Sequence, residues 1–179
     1  MRTSPFEPGF FQDDLASLGV TSWGSVRPGD IPLSPEIRKI CEDNTCRSYG
    51  TTWACPPAVG TFEECRDIIR SYSGALVFST VCPLEDSFDF EGMARGHREF
   101  KKVCDRVGEK LEKPFLLLSN EGCIRCRECT YPEAPCRFPE KLYPSLEGFG
   151  VLVGELASMA GVKYRNPGAV TYFGMICWD

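Results

Sequence analysis

Four cysteines lie within fourteen residues of this chain, in the stretch GCIRCRECTYPEAPCRFP. They are Cys123, Cys126, Cys129 and Cys136, and their spacing is C-x2-C-x2-C-x6-C. Two successive C-x2-C steps wrap a chain around the corners of a cubane iron–sulfur cluster, as in bacterial-type ferredoxins. The fourth cysteine follows after six residues, a loop long enough to return to the same cluster. The spacing therefore predicts a [4Fe-4S] cluster on these four thiolates.

Two alternatives stay open for this stretch. Structural zinc usually takes two well-separated C-x2-C pairs, so consecutive x2 steps suit a cubane better than a single tetrahedral ion. The thiols could also carry no metal. Arg125, Arg127 and Arg137 lie among them, with Lys141 close behind. Positive charge beside a cluster raises its reduction potential, although the same charges are also typical of an ordinary solvated loop.

A second cysteine-rich stretch, CEDNTCRSYGTTWACPP, contains Cys41, Cys46 and Cys55 in a C-x4-C-x8-C pattern. Its first step resembles that of plant-type [2Fe–2S] proteins, but the x2 step is missing. We expect these three residues to bind a second cluster or to complete a composite site. The fourth ligand is left open among Cys82, Cys65, a non-cysteine group and a substrate. The alternative is that all three cysteines pack as small hydrophobic residues.

The remaining thiols and the single histidine are more typical of packing. Cys65 and Cys104 lie on apolar helical faces, and Cys177 lies in a strand-like run near the C-terminus. Cys82 ends a strand and could reach a site. His97 lies on or beside the apolar stripe of a long helix, which indicates a packed or partly exposed residue rather than a ligand or proton donor.

The 179 residues fit one domain, and eleven of them are cysteine. This share, about 6%, lies below the roughly 8–10% typical of disulfide scaffolds, so clustered thiols favour metal. The net charge of −5 gives no basis for broad nucleic-acid binding. No apolar run approaches the roughly 20 residues of a membrane span, and the first residues contain no signal-peptide core. We therefore expect a cytoplasmic protein.

The residue pattern predicts a small sheet with flanking helices and cysteine-rich loops, an α/β fold. Residues 1–35 are punctuated by Pro and Gly and are predicted to be loosely structured, and residues 36–179 to form a single domain. Apolar runs at 74–81 and 114–119 predict buried strands, and the amphipathic helix over 91–112 joins them in a βαβ unit with a parallel strand pair.

Three further elements complete the predicted fold. TFEECRDIIRSY begins with a capping box of Thr61 and Glu64, and Ser34 with Pro35 starts another helix. A third helix is predicted from Ser145, and AVTYFGMIC is predicted to be the last strand.

The motifs together resemble a family. YGTTWACPP with two upstream cysteines, followed by GCIRCRECTYPEAPCRFPEKLYPSLEGFG, is similar to the uncharacterised predicted metal-binding proteins of anaerobic bacteria and archaea. The similarity spans about residues 38–179. It implies a small cytoplasmic protein whose metal is held by all seven cysteines of the two stretches, and it supplies no reaction or substrate.

The simplest function is one-electron transfer in anaerobic redox metabolism, with a redox partner protein. A second hypothesis is a redox enzyme in which an iron with an open coordination position binds a small substrate. A third is a zinc-stabilised binding module. A homodimer is plausible, but no feature of the sequence shows it.

Overall fold

The computed structural model describes residues 12–179, with side chains from Asp14 onward. In this part of the chain, four strands form one sheet and four α-helices pack around it. The strands are β1 (Ser22–Val26), β2 (Gly74–Pro83), β3 (Phe115–Ser119) and β4 (Ala169–Trp178). The helices are α1 (Pro35–Glu42), α2 (Phe62–Ser71), α3 (Phe90–Gly108) and α4 (Val153–Met159).

The strand order is β1-β2-β4-β3, and every neighbouring pair is antiparallel. The predicted α/β class is confirmed, but the predicted parallel pair is wrong in one respect. β2 and β3 do run in the same direction on either side of α3, yet β4 lies between them and hydrogen-bonds to both. The last strand, β4, therefore lies between the two strands that were predicted to pair directly.

Both faces of the sheet are covered, because alternate residues of β2 enter different cores. Ala75 and Val77 face a core that includes residues of α2 and α4. Leu76 and Phe78 face a core built against α3. The Phe78 ring fits because its cross-strand neighbour is Gly174, where an added Cβ would lie 2.2 Å from the ring.

The helix starts follow the local sequence signals. The Thr61 hydroxyl accepts from the Glu64 amide and the Glu64 carboxylate accepts from the Thr61 amide, so the predicted capping box is present. Ser34 caps α1, also as predicted. The helix predicted from Ser145 begins only at Val153, because turns precede it and Gly150 has a φ of 79°.

The segment predicted to be loosely structured is more ordered than its sequence indicates. Residues 12–18 form a 3-10 helix, and β1 pairs with β2 at the edge of the sheet. Residues 1–11 lie outside the described part. Within that part, no helix is long and apolar enough to cross a membrane.

Candidate metal centre

The two cysteine-rich loops meet beside the end of β3. The Trp53 indole donates to the Ala134 carbonyl at 3.1 Å, and its ring packs edge-on against Tyr131 with centroids 4.8 Å apart. A Cβ on Gly122 would lie 3.2 Å from Ser48 Oγ, which is tighter than an ordinary contact, so glycine lets the loop that contains Cys123 approach the loop that contains Cys55 closely. The fold therefore joins two motifs that are some seventy residues apart in sequence.

Cys123, Cys126, Cys129 and Cys136 all line one narrow cavity of about 20 Å³, which we name the four-cysteine cavity. Arg125, Arg137 and Lys141 also line it, together with Trp53 and Phe138. Four thiols, cationic groups and aromatic walls thus surround a common space. The donor set and its surroundings suit a thiolate-bound metal centre.

A second cavity of about 500 Å³, the Cys41 cavity, is lined by Cys41, Cys46 and Cys55. Cys123 lines this cavity as well as the four-cysteine cavity. The two cavities therefore adjoin at Cys123. The non-cysteine ligand candidates on the wall of the Cys41 cavity are His97, Glu121 and Glu147.

The other cysteines lie away from both cavities. Cys65, Cys104 and Cys177 are completely buried in the two cores, where the sequence predicted packing. Cys82 packs against the core beside α3. Neither Cys65 nor Cys82, the two thiols considered as fourth ligand, lines the Cys41 cavity.

All eleven cysteines are free thiols. Within residues 12–179, no three His, Cys, Asp or Glu side chains converge closely enough to hold a metal ion as they stand. The candidate ligands share cavities without yet forming a coordination sphere.

A profile of the family described as "Predicted metal-binding protein (DUF2284)" matches residues 24–177. The chain belongs to this family. Comparisons with curated proteins and with solved structures found no match. For this DUF2284 protein, metal binding is therefore supported at family level. The candidate metal ligands are the residues that line its two cysteine cavities.

Two thiols of the Cys41 cavity, those of Cys41 and Cys55, lie in a desolvated environment. Burial raises the pKa of Cys41 to about 11, and the nearby Glu147 carboxylate adds to the shift. Burial also raises the pKa of Cys55, against hydrogen bonds from the Thr52 and Ser145 hydroxyls. A bound cation reverses this preference because a coordinating thiol is deprotonated. The metal-free form of this DUF2284 protein thus keeps these sulfurs protonated at neutral pH.

Three ionisable side chains behind the cysteines are also shifted. Burial raises the pKa of Glu147 to about 7. Burial and the Lys101 charge lower the pKa of His97 to about 4. Burial lowers the pKa of Lys101, whose ammonium donates to Ser119 Oγ at 2.7 Å and to the Asn120 carbonyl at 3.0 Å. Clustered perturbation of this kind is typical of functional sites, although ion-pair networks also produce it.

The arginines differ in how freely their charge acts on the four-cysteine cavity. Arg125 forms two hydrogen bonds with the Asp105 carboxylate, at 2.7 and 3.1 Å, so its charge is largely compensated. Arg137 donates to the Glu128 carbonyl and has no carboxylate partner within the described residues. The charge of Arg137 is therefore less compensated than that of Arg125 beside this cavity.

A third cavity of about 640 Å³, the Tyr164 cavity, shares Glu147 with the Cys41 cavity. The Tyr164 ring stacks on Phe173 along it, with centroids 5.4 Å apart. Lys163 and Arg165 supply positive charge. Its volume lies within the range of about 300–1,000 Å³ typical of small-molecule sites.

Glu147, Glu121 and the Tyr164 cavity were not predicted from the sequence. Glu147 lies within the segment SLEGFG, which carries no recognisable site motif. The two glycines that follow it could have indicated a turn at this position, since Gly150 adopts a left-handed conformation rather than a helical one.

Proposed function

We propose that this protein is an iron–sulfur protein that carries a [4Fe-4S] cluster on Cys123, Cys126, Cys129 and Cys136. The observation that carries the proposal is that these four thiols, spaced as in a ferredoxin loop, line one cavity. Such a cluster supplies one reversible electron, and the protein supplies ligands, charge and burial that set its potential.

We further propose a second metal centre in the Cys41 cavity, held by Cys41, Cys46 and Cys55. Adjacent centres suit one-electron transfer to a redox partner protein in anaerobic metabolism, in the cytoplasm. The adjoining of the cavities at Cys123 supports this arrangement, because it brings the two ligand sets side by side.

Metal and acid-labile sulfide analysis tests the proposal on protein purified without oxygen. Iron with matching sulfide and broad visible absorption is expected. Cys126→Ser should lose the iron of the four-cysteine centre only, and Cys46→Ser that of the Cys41 centre only. Colourless protein with zinc and no sulfide would instead support the zinc-stabilised module.

The Tyr164 cavity favours a second candidate function, a redox enzyme that takes a small substrate at or beside the Cys41 centre. Lys163 and Arg165 have no carboxylate within 4.0 Å in the described chain, so an anionic molecule fits best. Titrating phosphate and citrate into the reduced protein while recording its EPR spectrum distinguishes the functions. A spectrum unchanged by either anion supports the carrier.

A further inference from the structure

His97 is a polar side chain on the wall of the Cys41 cavity without a complete set of partners. Its ring stacks on Tyr172, with centroids 5.6 Å apart and planes inclined by 15°. Within residues 12–179, its Nε2 atom is buried and has no hydrogen-bond partner. A buried unpaired nitrogen is costly and calls for an explanation, such as an ion that binds there.

The other ring nitrogen does have a partner. The Gly122 backbone favours the charged form of the imidazole through a hydrogen bond, and because Nε2 has no partner, we assign Nδ1 as the donor to the carbonyl. Histidines that bind metal usually donate their second N–H to a backbone carbonyl or carboxylate, which fixes the tautomer and the ring orientation. The arrangement leaves the Nε2 lone pair available.

We propose that His97 is the fourth ligand of the metal centre in the Cys41 cavity, through Nε2, beside the thiolates of Cys41, Cys46 and Cys55. The inference rests on the metal centre proposed above. A set of three cysteines and one histidine is established protein chemistry for zinc, and histidine also replaces cysteine in some iron–sulfur centres.

The other residues on the cavity wall are weaker candidates. Cys123 completes the four-cysteine set. Glu147 already accepts hydrogen bonds from backbone amides, and carboxylates of Glu121 and Glu147 are hard donors that suit a thiolate-bound metal less well than imidazole does.

The rigidity of α3 adds to the argument. His97 lies in the middle of this helix, which contributes Phe100, Val103 and Cys104 to one core. Its backbone is therefore fixed, and because no three candidate side chains within residues 12–179 converge as they stand, the cysteine loop must close on the metal. A centre with four protein ligands also leaves no open metal position, so any substrate would lie in the Tyr164 cavity beside the centre.

The single histidine of the chain makes the test sharp, because labelled histidine marks one residue. Cys126→Ser protein, which lacks the four-cysteine centre, is produced with [15N]histidine and a purification tag that contains no histidine. Pulsed EPR of the reduced protein should show the strong 15N hyperfine coupling of a directly bound nitrogen. For a diamagnetic metal, X-ray absorption at its edge should show three sulfur neighbours and one nitrogen.

A centre without strong nitrogen coupling, or with four sulfur neighbours, would overturn the proposal. A Cys126→Ser protein that binds no metal would overturn it too, whereas an intact cluster in Cys46→Ser would leave the four-cysteine centre standing.

His97→Phe provides the matched variant, since it keeps a ring against Tyr172 and removes both nitrogens. We expect at least about tenfold weaker metal binding at the Cys41 centre, with the thermal unfolding of the metal-free protein little changed. If His97→Phe weakened metal binding and also lowered the thermal stability of the metal-free protein to a similar extent, His97 would have a packing role only.

Discussion

Replacing Arg38 with methionine should destabilise the protein strongly. Arg38 is 7% exposed and donates to the Gly148 carbonyl at 2.7 Å and to the Gly60 carbonyl at 2.5 Å. Each bond from a charged donor contributes about 1.5–3 kcal/mol. The net loss of stability is smaller than the sum of these two bonds, because the desolvation cost of the buried charge is removed as well. We therefore expect a net loss of about 2–4 kcal/mol in the free energy of unfolding.

Urea denaturation of the metal-free protein, followed by circular dichroism, measures this change. With a slope of about 2 kcal/mol per molar urea, the midpoint should fall by about 1–2 M. Arg27→Met is the control, because that side chain is 76% exposed and forms an exposed ion pair with Asp30, so its loss should cost under about 1 kcal/mol. An Arg38→Met midpoint within about 0.5 M of wild type would refute the reasoning.

The effect should also reach the metal centre. Arg38 lies one helical turn before Cys41 and fixes the backbone next to Glu147. Cys41 and Glu147 both line the Cys41 cavity. Metal retention at this centre should therefore fall in Arg38→Met even under conditions where the variant is folded.

Three further predictions concern packing, pH and the contact between the loops. Gly174→Ala should lose about 1–3 kcal/mol in urea denaturation, because its Cβ would overlap the Phe78 ring, whereas Gly29→Ala, with open space around it, should be neutral. The folded-state pKa of Glu147, about 7, lies above the unfolded value of 4.5. The contribution of Glu147 to the free energy of unfolding therefore falls as pH rises through this window. Glu147→Gln should then gain stability relative to wild type at pH 8 and not at pH 4, measured without metal. Trp53→Phe should lose about 1 kcal/mol with its indole hydrogen bond, and retain less metal in dialysis against a chelator.

The elements with strong local signals could be predicted from the sequence, and the sheet order could not. The capping box at Thr61 lies where it was expected. β2 reads as an unbroken apolar run because both of its faces are covered, and such runs are typical of parallel sheets. Here α3 covers one face and α2 with α4 the other, so an antiparallel strand shows the same pattern. Only long-range pairing places β4 between its neighbours.

The candidate site divides in the same way. Cysteine spacing is local, so the two thiol groups were visible before the fold was known. His97 and Glu147 come from other segments and enter the Cys41 cavity only through tertiary packing. Glu147 was also assigned to the predicted third helix, which begins only at Val153, after the turn at Gly150.

The way the cysteine loops attach to the sheet bears on what a bound metal would do. The Ser145 amide donates to the Ala54 carbonyl at 2.8 Å, and the Ser119 amide donates to the Pro144 carbonyl at 3.0 Å, so the loops continue the hydrogen bonding of β3. The cores on both faces of the sheet include no cysteine that lines either candidate centre. Classical zinc-stabilised modules differ, because they have too little core to fold without metal. Since the sheet and its helices bury their own apolar surface, a bound metal would contribute little to folding, and this agrees with the proposed redox centre.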